Sequence, residues 1–236
     1  MLKKGLTLMD VSIATIKAMT ITGLMCGPIM SNAQDLSWAR AFGTTGDDVA
    51  HSIAVGNNGD VITAGYFEGT MDVDPGPDEF ILTSNGEIDI YVQKLTSDGE
   101  FMWAFNVGGT GSDNAKSISI DPLGNIYVAG AFNATADFDP GTGTTELMSA
   151  GTYDIFLAKY LSDGSLLWAK SFGGSEYEEA TSMVVAPSGN VYLLSYFSDI
   201  IDADPGIDEL SITSQGGLDI LLQKFTDQGD LIWAQA

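Results

Sequence analysis

Four tryptophans, Trp38, Trp103, Trp168 and Trp233, are the only ones in this 236-residue chain, and each follows the last by 65 residues. The same step, without a gap, superposes the D-x-D-P-G elements at Asp72–Gly76, Asp137–Gly141 and Asp202–Gly206. It also superposes Asp89, Asp154 and Asp219, then Lys94, Lys159 and Lys224, then Gly99, Gly164 and Gly229. Self-similarity at a fixed period marks a modular array in which each copy is one structural unit. The 65-residue unit and its contacts with its neighbours therefore decide what this chain can fold into.

Within one unit the sequence divides into four short apolar runs. In the first copy these are Val49–Val55, Val61–Phe67, Ile88–Leu95 and Phe101–Val107. Asn58-Gly59 separates the first pair and Asp98-Gly99 the last, and such dipeptides supply the positive φ of tight hairpins. After residue 33 no stretch carries a sustained helical stripe, so the chain is expected to be all-β. The third run is apolar on nearly every residue, as in Ile155-Phe156-Leu157, which predicts a strand covered on both faces. The first run carries small residues at alternate positions, Ala50, Ser52 and Ala54, then Ala115, Ser117 and Ser119. Small side chains suit the innermost strand of a propeller blade, where blades crowd together, and the tryptophans then head the outermost strand as packing anchors between blades.

Several strings carry a resemblance as well as a pattern. G-N-I-Y-V at Gly124–Val128, G-N-V-Y-L at Gly189–Leu193, D-I-F-L-A-K at Asp154–Lys159, W-A-K-S-F-G-G at Trp168–Gly174 and the D-x-D-P-G elements resemble the bacterial β-propeller repeat labelled SBBP. The resemblance spans residues 36–236 and implies a secreted or surface protein of propeller blades. The chain accordingly divides into blades at about 46–107, 111–172 and 176–236, three complete four-stranded units, with an extra outer strand at 36–42 from a partial fourth. Closed propellers need about four to eight blades. Three predict an open arc or a fragment of a larger propeller, completed by further blades of a longer chain or by self-association.

Ahead of the array, Lys3, Lys4 and Lys17 precede an apolar stretch from Ala18 to Met30, followed by Ser31-Asn32-Ala33. This predicts a secretory signal peptide over residues 1–33, cut after Ala33. The stretch is too short to span a bilayer. Cys26 would suit a lipoprotein signal, but bulky Met25 precedes it. Of nine bases and 32 acids, the cut removes three lysines and one aspartate, leaving six bases against 31 acids and no cysteine. A disulfide scaffold is thereby excluded, and such acidity argues against nucleic acid or an anionic membrane surface as partner. A protein or glycan ligand outside the cell is the expectation that remains.

The surplus over a common blade falls between the second and third runs, from Glu68 to Glu87, and holds the D-x-D-P-G element. It should emerge on the same face as the blade-linking loops, which contribute Asp47, Asp48, Asp113, Glu176, Glu178 and Glu179. Turn chemistry alone explains Asp-Pro-Gly. The sharper expectation is calcium, because two carboxylates of an extended D-x-D lie on one side of the chain. The candidate ligands are Asp72, Asp74 and Asp78, Asp137 and Asp139, and Asp202, Asp204 and Asp208; the second copy has Gly143 where the others have Asp78 and Asp208.

Catalysis finds little footing. His51 is the sole histidine, its slot holds Lys116 and Thr181 in the other copies, and no nucleophile or metalloprotease motif accompanies it. The repeated lysines read as partners of nearby acids rather than as nucleophiles. The sequence thus predicts a binding or scaffolding module that is not an enzyme, with a calcium-stiffened adhesion module as refinement. The rival class is a polysaccharide-acting enzyme, which would need unrepeated acids facing one another across a completed ring.

Overall fold

The computed structural model describes residues 37–236, so the signal peptide expected over 1–33 lies outside the described residues. The first blade runs β1 (Val49–Val55), β2 (Val61–Phe67), β3 (Thr70–Asp72), β4 (Ile81–Thr83), β5 (Asp89–Leu95) and β6 (Phe101–Gly109). Its antiparallel sheet has the order β1-β2-β5-β6. The second blade repeats this as β7 (Asn114–Ile120), β8 (Ile126–Phe132), β9 (Thr135–Asp137), β10 (Glu146–Met148), β11 (Asp154–Tyr160) and β12 (Leu166–Phe172). The third consists of β13 (Glu179–Val185), β14 (Val191–Asp202), β15 (Ser211–Phe225) and β16 (Leu231–Gln235). The described residues are all-β, as their punctuation requires. The turn glycines carry the positive φ that a Cβ resists, for instance 88° at Gly59 and 76° at Gly99, and Gly99 N closes its turn on Thr96 O.

Two features depart from the sequence reading. The insertion is more than a decorated loop: β3 pairs with β4 and β9 with β10 as short hairpins, and in the third blade the same ladder merges into β14 and β15 past a bulge at Ser198/Ile200. Each hairpin also pairs backward, with the segment that ends the preceding unit, through Gly43↔Asp72, Gly108↔Asp137 and Gly174↔Ile201. Insertion and linking loop thus do share one face. The second departure is the extra outer strand expected at 36–42, where residues 37–42 enter no ladder.

The core lies between blades. β11 is buried along its whole length and β5 at all but one residue, as their unbroken apolar runs require. Phe105, Val107, Ile118, Val128, Phe156 and Tyr160 pack one blade on the next, and Leu157, Phe172, Met183, Leu193 and Leu221 do so at the second seam. The middle letter of each D-x-D faces inward: Val73, Phe138 and Ala203 are all fully buried. The carbonyl of this plug residue always finds a donor on the third strand. Gln93 Nε2 donates to Val73 O and Gln223 Nε2 to Ala203 O. In the second blade Ala158 occupies the glutamine position, and Tyr160 Oη donates to Phe138 O instead, at 3.2 Å. A buried carbonyl left without a donor would cost about 1–3 kcal/mol, which accounts for the exchange.

Candidate functional site

The D-x-D-P-G aspartates act first on their own backbone. Asp72 Oδ1 accepts from Asp74 N and Phe80 N, Asp137 Oδ1 from Asp139 N and Thr145 N, and Asp202 Oδ1 from Asp204 N and Leu210 N. The second aspartate of each pair, Asp74, Asp139 or Asp204, accepts from the glycine two residues on, closing an Asx turn around the proline. Asp78 and Asp208 are exposed. Among the described residues no three His, Cys, Asp or Glu side chains converge as a metal cage. A calcium ion here would depend on the two remaining Oδ2 oxygens, carbonyls and water, a shell poorer in charge than tight sites use.

The linking-loop acids divide into two kinds. Asp47 and Glu176 are exposed, but Asp113 and Glu178 are fully buried. Asp113 Oδ2 accepts from Gly109 N, Glu178 Oε2 from Gly174 N and Asp48 Oδ2 from Thr44 N, so each acid caps the loop that precedes it. Against them lie the aspartates that open the third strands. Asp89 Oδ2 accepts from Asn85 N and Asn106 Nδ2, and Asp154 from Ala150 N and Gly151 N. The glycine between them makes room: a Cβ at Gly108 would meet Asp113 Oδ2 at 2.8 Å and Asp89 Oδ1 at 2.9 Å. Each seam thus buries a carboxyl pair, Asp89 with Asp113 and Asp154 with Glu178. One oxygen in each pair, Asp89 Oδ1 or Glu178 Oε1, accepts no hydrogen bond. Burial pushes Asp113 and Glu178 up to about 7, with the neighbouring Asp89 and Asp154 charges adding to the shift, and burial raises Asp89 and Asp154 as well.

The remaining repeated residues also serve the seams. Lys94 Nζ sits 3.0 Å from Asp60 Oδ2 within its blade and reaches Ser162 O of the next. Burial works to raise the Asp60 carboxyl, but bonds from Asn58 and Lys94 outweigh it and hold the group below the usual carboxylate range. Lys159 likewise lies 3.8 Å from Asp121 and donates to Asp227 O. Lys224 departs from the expectation: Asn190 and Ala186 stand where its acid would be, and its ammonium lies over the Tyr192 ring at 5.3 Å. Trp38 and Trp168 lean on Gly99 and Gly229, the turn glycines of the following blade, as anchors should. On the inner strands Ser52 Oγ accepts from Ile118 N, Ser117 Oγ from Met183 N and Ser119 Oγ from Val185 N, stitching blade to blade.

One arrangement escaped the sequence. His51, Lys116 and Glu179 line up across three innermost strands, with Lys116 Nζ 3.5 Å from His51 Nε2 and 3.2 Å from Glu179 Oε1. Tyr177 Oη donates to Glu179 Oε2 at 2.6 Å. Burial and the Lys116 charge lower the His51 imidazole, which leaves it neutral at physiological pH. Their only sequence signal was a departure from the repeat, His51, Lys116 and Thr181 sharing one slot and Val49, Asn114 and Glu179 another. An open arc of three blades also implies an uncovered apolar face, and the far face of the third blade is one. Ile90, Val92, Ile155 and Leu157 are at most 1% exposed because the next blade covers them, whereas the equivalent Ile220 and Leu222 are 68% and 38% exposed. Leu194, 39% exposed where the equivalent Ala64 and Ala129 are fully buried, widens this open apolar face.

Comparison with known proteins agrees with the geometry. The β-propeller repeat family labelled SBBP matches residues 107–131, the end of β6 through β8. The chain is 21% identical to an uncharacterized WD repeat-containing protein of Acanthamoeba polyphaga mimivirus, over 98% of this chain and 18% of that protein. It is 26% identical to the regulatory protein FlaEY of Caulobacter vibrioides, over 61% of this chain and 15% of that protein. The chain therefore spans less than a fifth of the length of these curated relatives.

Proposed function

We propose that this β-propeller repeat protein is an exported binding or scaffolding module without catalysis of its own. The observation that carries the reading is the open face of the third blade. Residues whose equivalents are sealed between blades stand uncovered there among the described residues, and an apolar face of this kind is built to be covered, by a further blade or by a partner protein. The acids support it too: those that recur are spent on capping backbone amides and on seams, not gathered around a cleft. A WD-repeat relative and one named a regulatory protein favour interaction over catalysis. The signal-like segment before Gln34 supports export.

The test is made on chain recovered outside the producing cells. It should begin at Gln34, and its mass by light scattering should rise with concentration as the third-blade faces meet apolar partners. Ile220→Lys places a charge in the centre of that face and should hold the protein monomeric with unchanged circular dichroism. A wild-type monomer at every concentration, or association indifferent to Ile220→Lys, would count against the scaffolding reading, and a chain kept inside the cell with Met1 intact would count against export.

A further inference from the structure

The outer rim repeats one contact except at a single place. Positions 40, 105 and 170 are equivalent, as are 100, 165 and 230. Where residues 37–42 meet the first blade, Arg40 Nη2 lies 3.0 Å from Glu100 Oε1 and Arg40 Nε donates to Gly99 O. At the second seam, Lys170 Nζ lies 2.8 Å from Asp230 Oδ1. In both, a cation ahead of one linking loop lies across the turn of the next blade. At the first seam, between the first and second blades, the same two positions are Phe105 and Ser165, which can form no such pair.

An open groove of about 470 Å³ lies there, lined by Trp103, Phe105, Asp139, Gly143, Asp163 and Ser165. Its wall is aromatic, the Trp103 and Phe105 rings being stacked at 5.7 Å with 13° between planes. Its rim is anionic. Asp163 Oδ1 accepts from Ser165 N and Asp139 Oδ1 from Gly141 N, which orients both carboxylates. Gly143 replaces the aspartate of the other copies, and any Cβ at that position would collide with Asp139 Oδ2, so the glycine keeps that oxygen uncovered. Among the described residues no lysine or arginine lines the groove.

We propose that this groove binds an arginine side chain of a partner protein. The partner's guanidinium takes the place that Arg40 and Lys170 fill at the flanking contacts. A planar guanidinium stacks on the indole and presents its donors edge-on to carboxylates, which a neutral sugar answers only with weaker hydroxyl bonds and an anion not at all. Lysine would fit less well, since its compact ammonium cannot stack. The proposal rests on the reading of the chain as an interaction module and names the chemistry of one partner. Its site, between the first and second blades, is separate from the apolar face of the third.

The probe is a tetra-arginine peptide titrated into the whole chain at physiological salt, followed by isothermal calorimetry. Asp163→Asn should weaken binding about tenfold, the effect of losing one charge-assisted bond. Asp98→Asn makes the same charge change at the equivalent turn of the first blade, beside Arg40, and should leave affinity unchanged. Phe105→Lys with Ser165→Asp reproduces the pair of residues 170 and 230, fills the groove at unchanged net charge, and should lower affinity at least as far. Asp163→Asn alone keeps the test decisive if that double variant folds poorly. Equal weakening by Asp163→Asn and Asp98→Asn would mean that the peptide reads only overall acidity and would overturn the proposal. So would a neutral glucan oligosaccharide that binds as tightly and shares the Asp163 dependence, because the groove would then be a sugar site. Either result leaves the Ile220 scattering test untouched, so failure here is distinguishable from failure of the module reading.

Discussion

Raising the pH from 5 to 8 is expected to remove on the order of 5 kcal/mol of stability from the folded blades, most of it lost before pH 7. The cause is the carboxyl pair in each seam. Two buried carboxylates with no cation bonded to either cannot both ionise cheaply, and the folded seam holds a proton that the unfolded chain has released. The charges bearing on these groups are acidic: Asp89 on Asp113 at the first seam, Asp154 and Glu176 on Glu178 at the second. A carboxyl whose folded value is raised leaves stability intact below its unfolded value near 4 and removes it as pH climbs through the folded value, here about 7 for Asp113 and Glu178. Two seams over two pH units at about 1.4 kcal/mol each give the figure above.

The proton belongs to the coupled pair, and the unbonded oxygen supplies the test. Both oxygens of Asp113 already accept backbone amides, whereas Asp89 Oδ1 accepts none. Asp89→Asn puts an amide nitrogen at that oxygen while Oδ1 of the new residue takes over the bonds Asp89 Oδ2 accepts. It should raise stability at pH 8 and roughly halve the slope between pH 5 and 7, read by chemical denaturation across pH. A slope unaltered by Asp89→Asn would remove the seam pair as its cause.

Phe138→Ala should cost about 3–5 kcal/mol, the range for deleting a buried aromatic side chain. Its ring is fully buried, set edge-on to Phe132 at 5.6 Å and 4.9 Å from Phe156. The third blade carries alanine at the same position, Ala203, with the same loop hydrogen bonds. The loop backbone therefore tolerates the change, and the loss isolates core packing from turn geometry. At roughly 2–4 °C per kcal/mol for a domain of this size, the melting temperature should fall by about 10 °C. A shift below 2 °C would mean that the ring is not the plug of the second blade.

Much of this architecture was legible because a period averages away local ambiguity. One Asn-Gly is a weak signal, but turn glycines at 59, 124 and 189 fix a hairpin three times over. The small residues of the first strands foretold contact between innermost strands, and Ser52, Ser117 and Ser119 make it. The insertion hairpins were not legible because a three-residue strand such as Thr70–Asp72 is too short to register an alternation. The apolar middle letters Val73, Phe138 and Ala203 were the missed sign that the loop turns inward. The carboxyl pairs join residues 24 apart on different blades, which spacing along one strand does not reveal. The arginine groove exists only through departures from the repeat at Phe105, Ser165 and Gly143, residues that a search for recurrence passes over.

The central claim, that each blade is locked to the next through the same seam, is tested most directly by amide hydrogen exchange on the innermost strands. In a lone blade the outward-facing amides of such a strand would meet solvent and exchange quickly. Here Ile118 N, Met183 N and Val185 N each donate to a serine hydroxyl of the preceding blade. Ile53, equivalent to Ile118, bonds to no side chain among the described residues and is 65% exposed. Exchange at Ile118, Met183 and Val185 slowed to the rate of the buried strands β5 and β11, with Ile53 exchanging rapidly, is the result expected of continuous blades. Equally fast exchange at all four amides would contradict it and return the chain to three independent 65-residue units on a string.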